Sequence, residues 1–162
     1  MLIVLSGLSG VGKTTIARAL AVATDAVHVR IDTIEQALRN TGMTVEAEGY
    51  CVAYAVAEDN LRLGRTVIAD SVNPWLLTRD AWRAVGYRVG VRTMDVEIVC
   101  SDRAEHRRRV ESRASDIAGH RVPTWREVLE RDYHPWHSER RVIDTAHVDV
   151  SESVRQILTA SV

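Results

Sequence analysis

The stretch GLSGVGKTT, residues 7–15, decides the fold because it joins a short apolar run to a helical pattern. The apolar run LIVLSG covers residues 2–7 and ends at a glycine, which is typical of a strand buried on both faces of a sheet. Residues 13–23 then place their apolar side chains on one helical face. Among the 21 lysine and arginine residues Lys13 is the only lysine, so this turn alone carries a compact ammonium group.

Residues 7–14 match the P-loop pattern G-x-x-x-x-G-K-[ST], in the strand-to-helix context that this pattern requires. The glycines allow backbone amides to wrap around an anion at the N-terminus of a helix. Lys13 is expected to reach the β- and γ-phosphates of a nucleoside triphosphate, and the Thr14 hydroxyl to ligate Mg²⁺. The predicted nucleotide-binding residues of this loop are Gly7, Ser9, Gly10, Val11, Gly12, Lys13, Thr14 and Thr15.

The composition is that of a globular protein with one domain. The chain has 162 residues, of which 46% are hydrophobic and 27% charged. A net charge of -1 argues against a bulk nucleic-acid binder. Cys51 and Cys100 have no metal-ligand spacing and are expected to be reduced and buried. The first apolar run is too short for a signal peptide or a membrane span, so a cytoplasmic location is expected.

Strand and helix patterns alternate along the chain. Further strands are predicted over residues 27–31, 66–70, 93–100 and 147–150. Helices are predicted over residues 32–39 with Asp32 as N-cap, over residues 47–63, and over residues 151–158 with a serine cap. Such alternation implies parallel strands joined by right-handed crossovers, and therefore a three-layer α/β domain.

Two aspartates close predicted strands and are candidate functional carboxylates. Asp32 follows the second strand, at the edge where open α/β sheets bind their ligands. It is expected to act on the acceptor of a phosphoryl group, to cap the following helix, or to do both. Asp70 ends the run TVIAD and is expected to hold a metal-bound water or to contact substrate, with a turn cap before Asn73 as the structural alternative.

An arginine-rich segment follows the fourth predicted strand, over residues 101–125. Arg109 and Arg113 lie four positions apart and would share one face of a helix. A charge run of this kind is usually a solvated face, but the glycine and proline that follow it could act as hinges of a lid. We predict that at least one of Arg109, Arg113 and Arg121 contacts the phosphates from this lid.

Two classes of nucleotide-binding protein are excluded by motifs that the chain lacks. A GTPase of the Ras type needs an Asn-Lys-x-Asp motif, whereas the only lysine here already lies in the P-loop. A transporter ATPase carries an LSGGQ-like signature, which this sequence does not contain. A compact phosphotransferase remains, and it needs a carboxylate at the acceptor, a carboxylate at the metal and arginines over the transferred phosphate.

With these motifs the chain resembles the AAA-type, ATP-binding small P-loop kinases. They include the kinase domain of polynucleotide kinase, the zeta toxins, chloramphenicol phosphotransferase and the gluconate and shikimate kinases. The resemblance rests on GLSGVGKTT, on Asp32, on VIADSVNP and on the arginines before the lid, and it covers most of the chain. It implies a P-loop fold with five parallel strands in the order 2-3-1-4-5 and a helical lid over about residues 103–135.

The resemblance also implies roles for individual residues. Lys13, Asp32 and Arg113 would be catalytic, with Asp32 as the base towards the acceptor hydroxyl. Arg109 and Arg121 would join the P-loop in binding ATP, and Thr14 and Asp70 would hold Mg²⁺.

The acceptor side departs from the polynucleotide kinases, which carry a phosphate-gripping arginine three residues after the base. This chain has Glu35 at that position, and a carboxylate there would repel a nucleic-acid phosphate. With Glu46, Glu48 and Asp59 nearby, the pocket is expected to be acidic and to suit a hydroxylated or amine-bearing small molecule. The expected substrate contacts are Asp32, Glu35, Asp70 and Asn73.

The sequence therefore favours an ATP- and Mg²⁺-dependent kinase that phosphorylates a hydroxyl of a small molecule. The alternatives are a polynucleotide 5′-hydroxyl kinase, a zeta-like toxin kinase and a non-catalytic nucleotide-binding switch. Glu35 disfavours a nucleic-acid partner, and a membrane partner is not expected. The acceptor, the preference for ATP over GTP and the oligomeric state are not determined by these motifs.

Overall fold

The computed structural model describes residues 1–159, and these form one parallel sheet with helices on both faces. The strands are β1 (Leu2–Ser6), β2 (Val27–Arg30), β3 (Val67–Asp70), β4 (Thr93–Val99) and β5 (Arg141–Asp144). They pair in the order β2-β3-β1-β4-β5, and every pairing is parallel. The predicted three-layer α/β fold and its strand order are confirmed.

The helices of the described residues alternate with these strands. They are α1 (Lys13–Thr24), α2 (Ile31–Asn40), α3 (Glu48–Arg62), α4 (Leu76–Val89), α5 (Arg103–Ser112), α6 (Trp125–Leu129) and α7 (Val150–Thr159). Within residues 1–159, no helix has the length and apolar character needed to cross a membrane.

The central strand β1 contributes to a separate core on each face of the sheet, because successive side chains of a strand point to opposite sides. Ile3 and Leu5 pack with residues of α1 and α7, including Leu20. Leu2 and Val4 pack with residues of α3 and α4. All five of these side chains are fully buried, so the strand that leads into the P-loop is fixed from both sides.

The fifth strand lies earlier than predicted, at Arg141–Asp144 instead of residues 147–150. The side chain of Asp144 accepts hydrogen bonds from the backbone N–H groups of Ser101 and Ala146, at 3.0 and 3.1 Å. The backbone N–H of His147 donates to the Asp144 carbonyl at 3.1 Å. Residues 147–149 thus lie in the connection between β5 and α7, and Val150 begins α7, so the alternating pattern is not part of the sheet.

Two predicted helix caps are also wrong. Arg30 occupies the N-cap position of α2, and Asp32 lies inside the first turn without capping it. A carboxylate in a first turn still interacts favourably with the positive end of the helix dipole. The last helix begins at Val150, and its first turn is capped by Asp149, whose side chain accepts from the N–H of Glu152 at 2.8 Å.

The two cysteines are free, but they are not buried as predicted. Cys51 is exposed and Cys100 is half-buried. The buried side of α3 carries Ala53, Ala57 and Leu61, which are four positions apart, and Cys51 lies off this stripe.

Because α1 packs against the sheet, two leucines that both lie in helices should differ in how much they contribute to the free energy of unfolding. Leu20→Ala in α1 should lower the free energy of unfolding by about 3 kcal/mol, because it leaves a cavity in a fully buried site. The matched control Leu77→Ala in α4 removes a side chain that is 77% exposed, so its effect should stay below about 0.5 kcal/mol. Urea denaturation of both variants would measure the difference, and equal losses would contradict the packing described here.

Candidate functional site

A crevice of about 450 Å³ opens at the carboxyl ends of the strands, beside the loop between β1 and α1. Its lining brings together residues that are far apart in the sequence. Those predicted from the sequence are Ser9, Gly10, Gly12, Lys13, Thr14, Thr15, Asp32, Asp70, Arg109 and Arg113. The crevice position is the one expected for a ligand site in an open α/β sheet.

The P-loop needs its glycines for reasons of space and backbone geometry. Gly7 has φ +140°, and a Cβ there would lie 2.2 Å from the carbonyl oxygen of Ile98. Gly10 has φ +86°, and a Cβ there would lie 2.5 Å from a methyl carbon of Val110. Side chains at these positions would force the loop away from β4 and α5. The glycines therefore allow the loop to lie directly against β4 and α5.

Three contacts fix the loop from different parts of the fold. The N–H of Gly7 donates to the carbonyl of Val72 after β3, at 3.1 Å. The Nε2 of His106 in α5 lies 2.8 Å from the carbonyl oxygen of Ser9. The Thr145 hydroxyl, after β5, donates to the carbonyl of Val11 at 2.9 Å. The roles of His106 and Thr145 were not predicted from the sequence, because neither residue belongs to a recognisable motif.

Lys13 is the first residue of α1, and its side chain is only 8% exposed. Its Nζ donates to the carbonyl of Leu8 at 2.9 Å. Burial lowers the pKa of the Lys13 ammonium, while the carboxylates of Asp70 and Asp32 oppose this effect and the guanidinium of Arg113 adds to it. The ammonium group thus lies close to both predicted carboxylates and to one predicted arginine.

Asp70 ends β3 and is 3% exposed. Its carboxylate lies 3.2 Å from the Nε2 of His28 and is hydrogen-bonded by Thr14. Burial alone would raise the pKa of Asp70, but the hydrogen bond from His28, the charge of Lys13 and the hydrogen bond from Thr14 together hold it below its usual value. The site therefore contains an ionised carboxylate beside a hydroxyl group.

This donor set suits Mg²⁺, which prefers oxygen ligands and commonly takes only one or two from the protein. Thr14 and Asp70 supply a hydroxyl and a carboxylate at one edge of the crevice. Residues 1–159 contain no cluster of three or more histidine, cysteine, aspartate or glutamate side chains that could hold a metal ion. The pair thus fits an ion bound jointly by protein, water and phosphate oxygens, and not an all-protein metal site.

The predicted arginines differ in their surroundings. Arg109 lines the crevice but donates to Glu105 and, through both Nη atoms, to the hydroxyl and carbonyl oxygens of Thr145. Arg113 follows the last residue of α5 and has no hydrogen-bond partner among residues 1–159, and its charge acts on Lys13. Arg121 lies outside the crevice, in an adjacent cavity of about 280 Å³.

Two of the predicted acceptor residues lie outside the crevice lining. Glu35 accepts a hydrogen bond from Arg39 at 2.9 Å within α2. Asn73 is fully buried, and its Nδ2 donates to the Ser6 hydroxyl at 3.0 Å. Their assignment to the substrate stays a prediction.

The expected acidic lining is not observed. Glu46, Glu48 and Asp59 do not line the crevice. Its charged residues are instead Lys13 with five arginines, and three aspartates. The cations are Lys13, Arg18, Arg30, Arg108, Arg109 and Arg113, and the anions are Asp32, Asp70 and Asp116. A lining with six cations and three anions favours negatively charged ligands.

Four of these charged residues were not predicted from the sequence: Arg108, and three that meet on the β2 side of the crevice. Asp116, in the loop between α5 and α6, forms ion pairs with Arg18 of α1 and Arg30 of β2. The hydrogen bond from Arg18 lowers the pKa of Asp116, and the hydrogen bond from Arg30 adds to this. The three come from separate elements, so no local pattern could have linked them.

Comparison with solved structures gives proteins of the same fold at low sequence identity. Chaetomium thermophilum Kti12, solved with ADP-AlF3, is 21% identical with a TM-score of 0.72, and the match covers 99% of this chain and 98% of that one. The APS kinase CysC of Mycobacterium tuberculosis, solved with AMPPNP and APS, is 18% identical with a TM-score of 0.71, covering 98% and 95% of the two chains. A gluconokinase from Sinorhizobium meliloti 1021 is 20% identical with a TM-score of 0.65, covering 97% and 89%.

Sequence comparison identifies the family directly. No curated protein matches the sequence significantly. A family model described as an AAA domain matches residues 2–131, which include the P-loop, Asp32, Asp70 and α5. The chain belongs to this AAA domain family, and it has the fold of the small P-loop kinases.

Proposed function

We propose that the protein is an ATP- and Mg²⁺-dependent phosphotransferase that moves the γ-phosphoryl group to a hydroxyl of a small molecule. The observation that carries this proposal is the meeting of Lys13, Asp32 and Arg113 in one crevice. A P-loop lysine by itself indicates nucleotide binding. A carboxylate opposite it adds a group that can take a proton from an acceptor, which a binding module does not need.

The structural neighbours support the same class of reaction. Two of them are named gluconokinase and APS kinase, and the APS kinase structure contains both AMPPNP and APS. Their identity to this chain is 20% and 18%, so they support the reaction class and not a particular acceptor.

In the proposed reaction, the acceptor oxygen forms a bond to the γ-phosphorus while the bond to the β,γ-bridging oxygen breaks. The electron pair of that bond leaves with ADP, and the hydroxyl proton passes to the Asp32 carboxylate. Lys13 and Arg113 stabilise the negative charge on the transferred group, in a crevice where burial strengthens such interactions. Thr14 and Asp70 are the residues that would hold Mg²⁺, and a bound ion would supply positive charge to the phosphate oxygens.

The proposal predicts that Lys13→Ala lowers turnover by roughly 100-fold or more, because a buried ammonium at the phosphates is lost. The fold should remain, since the one hydrogen bond of the Lys13 ammonium among residues 1–159 is to the Leu8 carbonyl. ADP release and far-UV circular dichroism would be measured together. The control is Arg65→Ala, which removes an exposed cation. Normal turnover in Lys13→Ala would rule out the P-loop as the site of transfer.

The role of Asp32 predicts that Asp32→Asn lowers turnover by about 100- to 10,000-fold while ATP affinity is retained. Its matched control is Asp25→Asn, at an aspartate that is 97% exposed. ADP release would be followed with sugars, nucleosides, hydroxylated antibiotics and a 5′-hydroxyl oligonucleotide, and the product identified by the added mass of one phosphoryl group. ATP binding with no transfer to any acceptor would instead favour a nucleotide-binding switch.

The proposed metal site predicts that Asp70→Asn raises the Mg²⁺ concentration needed for half-maximal activity by about 10- to 100-fold. The reason is that the variant keeps the size of the side chain but removes the ionised carboxylate beside Thr14. The measurement is a Mg²⁺ titration at fixed ATP, again with Asp25→Asn as the control. An unchanged Mg²⁺ requirement would remove Asp70 from the metal site.

A further inference from the structure

Arg30 carries a buried positive charge on the β2 side of the crevice. It is the last residue of β2, two positions before Asp32, and its side chain is 9% exposed. Its Nη1 donates to both carboxylate oxygens of Asp116, at 3.0 and 2.9 Å. Its Nε lies 4.0 Å from a carboxylate oxygen of Asp70 and has no hydrogen-bond partner among residues 1–159.

The positive charge of Arg30 is therefore balanced mainly by a carboxylate in a loop, that of Asp116. Asp116 lies between α5 and α6, and its side chain is 45% exposed. The same carboxylate also binds Arg18 on α1. Asp70 is already hydrogen-bonded by His28. A buried guanidinium needs a hydrogen-bonded anion, and an anion supplied by an exposed loop can be replaced without opening the core.

We propose that Arg30 and Arg18 bind an anionic group of the acceptor, a carboxylate or a phosphate, in the position that the Asp116 carboxylate takes in this structure. This proposal rests on the proposed phosphotransferase function, because it assigns the acceptor end of the same crevice. Carboxylates and phosphates present the paired oxygens that guanidinium groups bind best. An acceptor anchored on Arg30 lies beside Asp32, the proposed base.

The charges around this position favour an anionic acceptor over a neutral one. The cations Lys13 and Arg113 line the same crevice as the aspartates Asp32 and Asp70. A neutral acceptor would leave Arg30 paired with Asp116 and would have to share the crevice with that loop. An anionic acceptor replaces Asp116 and leaves no buried cation unpaired.

The test measures anion binding directly, so that it does not depend on turnover. Protein saturated with Mg²⁺ and a non-hydrolysable ATP analogue is titrated calorimetrically with inorganic phosphate, gluconate and, as the uncharged match of gluconate, glucose. Asp116→Asn removes the competing carboxylate and should strengthen anion binding by about 10-fold or more. Its control is Asp80→Asn, because Asp80 is likewise exposed and paired with an arginine.

The arginine variants should have the opposite effect. Arg30→Gln should weaken binding of the same anions by about 10- to 100-fold, and Arg18→Gln should weaken it in the same direction. Arg18 is half-exposed on a helix, so its variant tests the site even if Arg30→Gln fails to fold. The matched control is Arg62→Gln, which also removes a half-exposed, paired arginine from a helix. If only one of phosphate and gluconate binds, the result would show whether the site takes a phosphate or a carboxylate.

Equal binding of gluconate and glucose, or anion affinity that is unchanged in Asp116→Asn and Arg18→Gln, would overturn the proposal. In turnover assays, a preference for uncharged acceptors over every anionic acceptor would also overturn it. Failure of the proposed phosphotransferase function can be distinguished from failure of the anion site. If anions bind through Arg30 but none is phosphorylated and none stimulates ADP release, the anion site stands while the proposed phosphotransferase function fails.

Discussion

The arrangement of the crevice depends on the burial of one ammonium group at the point where β1 passes into α1. Lys13 is 8% exposed, and a buried cation is stable only when anions or hydrogen-bond acceptors surround it. The Leu8 carbonyl supplies one acceptor, and Asp70 and Asp32 supply the opposing charge. Both aspartates follow strands on the same side of β1, so the order β2-β3-β1 is what brings their carboxylates to the P-loop.

On the side of β4 and β5, the P-loop is held by hydrogen bonds to its backbone carbonyls. His106 of α5 and Thr145 after β5 each hydrogen bond to a carbonyl of the loop, and Arg109 joins α5 to Thr145. The crevice consequently has two different sides. On the β5 side, side chains hydrogen bond to the loop, whereas the β2 side carries carboxylates and arginines that line the crevice. An arginine that lines the crevice can thus have a structural task, as Arg109 has here.

The arginines illustrate why residue type alone does not identify a functional group. Arg79 is 1% exposed, yet its guanidinium donates to backbone carbonyls, including those of Asn73 and His134, and lies 4.0 Å from the centre of the Trp136 ring. It joins α4 to the segment before β5, and its hydrogen bonds within residues 1–159 go to residues outside the crevice lining. Arg30 is nearly as buried, but its main partner is an exposed loop carboxylate. A buried arginine whose carboxylate partner can be replaced is suited to bind a ligand, whereas one that is bonded to backbone carbonyls stabilises packing.

Local chemistry in the sequence determined the P-loop, the strands β1 to β4 and the positions of Asp32 and Asp70, because glycine spacing and apolar runs act over a few residues. The helix α4 was not predicted, since its buried stripe includes Thr78, Arg79 and Gly86 and so lacks a clear apolar period. The site formed by Arg18, Arg30 and Asp116 was decided only by tertiary structure. Asp116 lies 98 and 86 positions from these arginines, and only the packing of α1, β2 and the loop after α5 brings the three charges together.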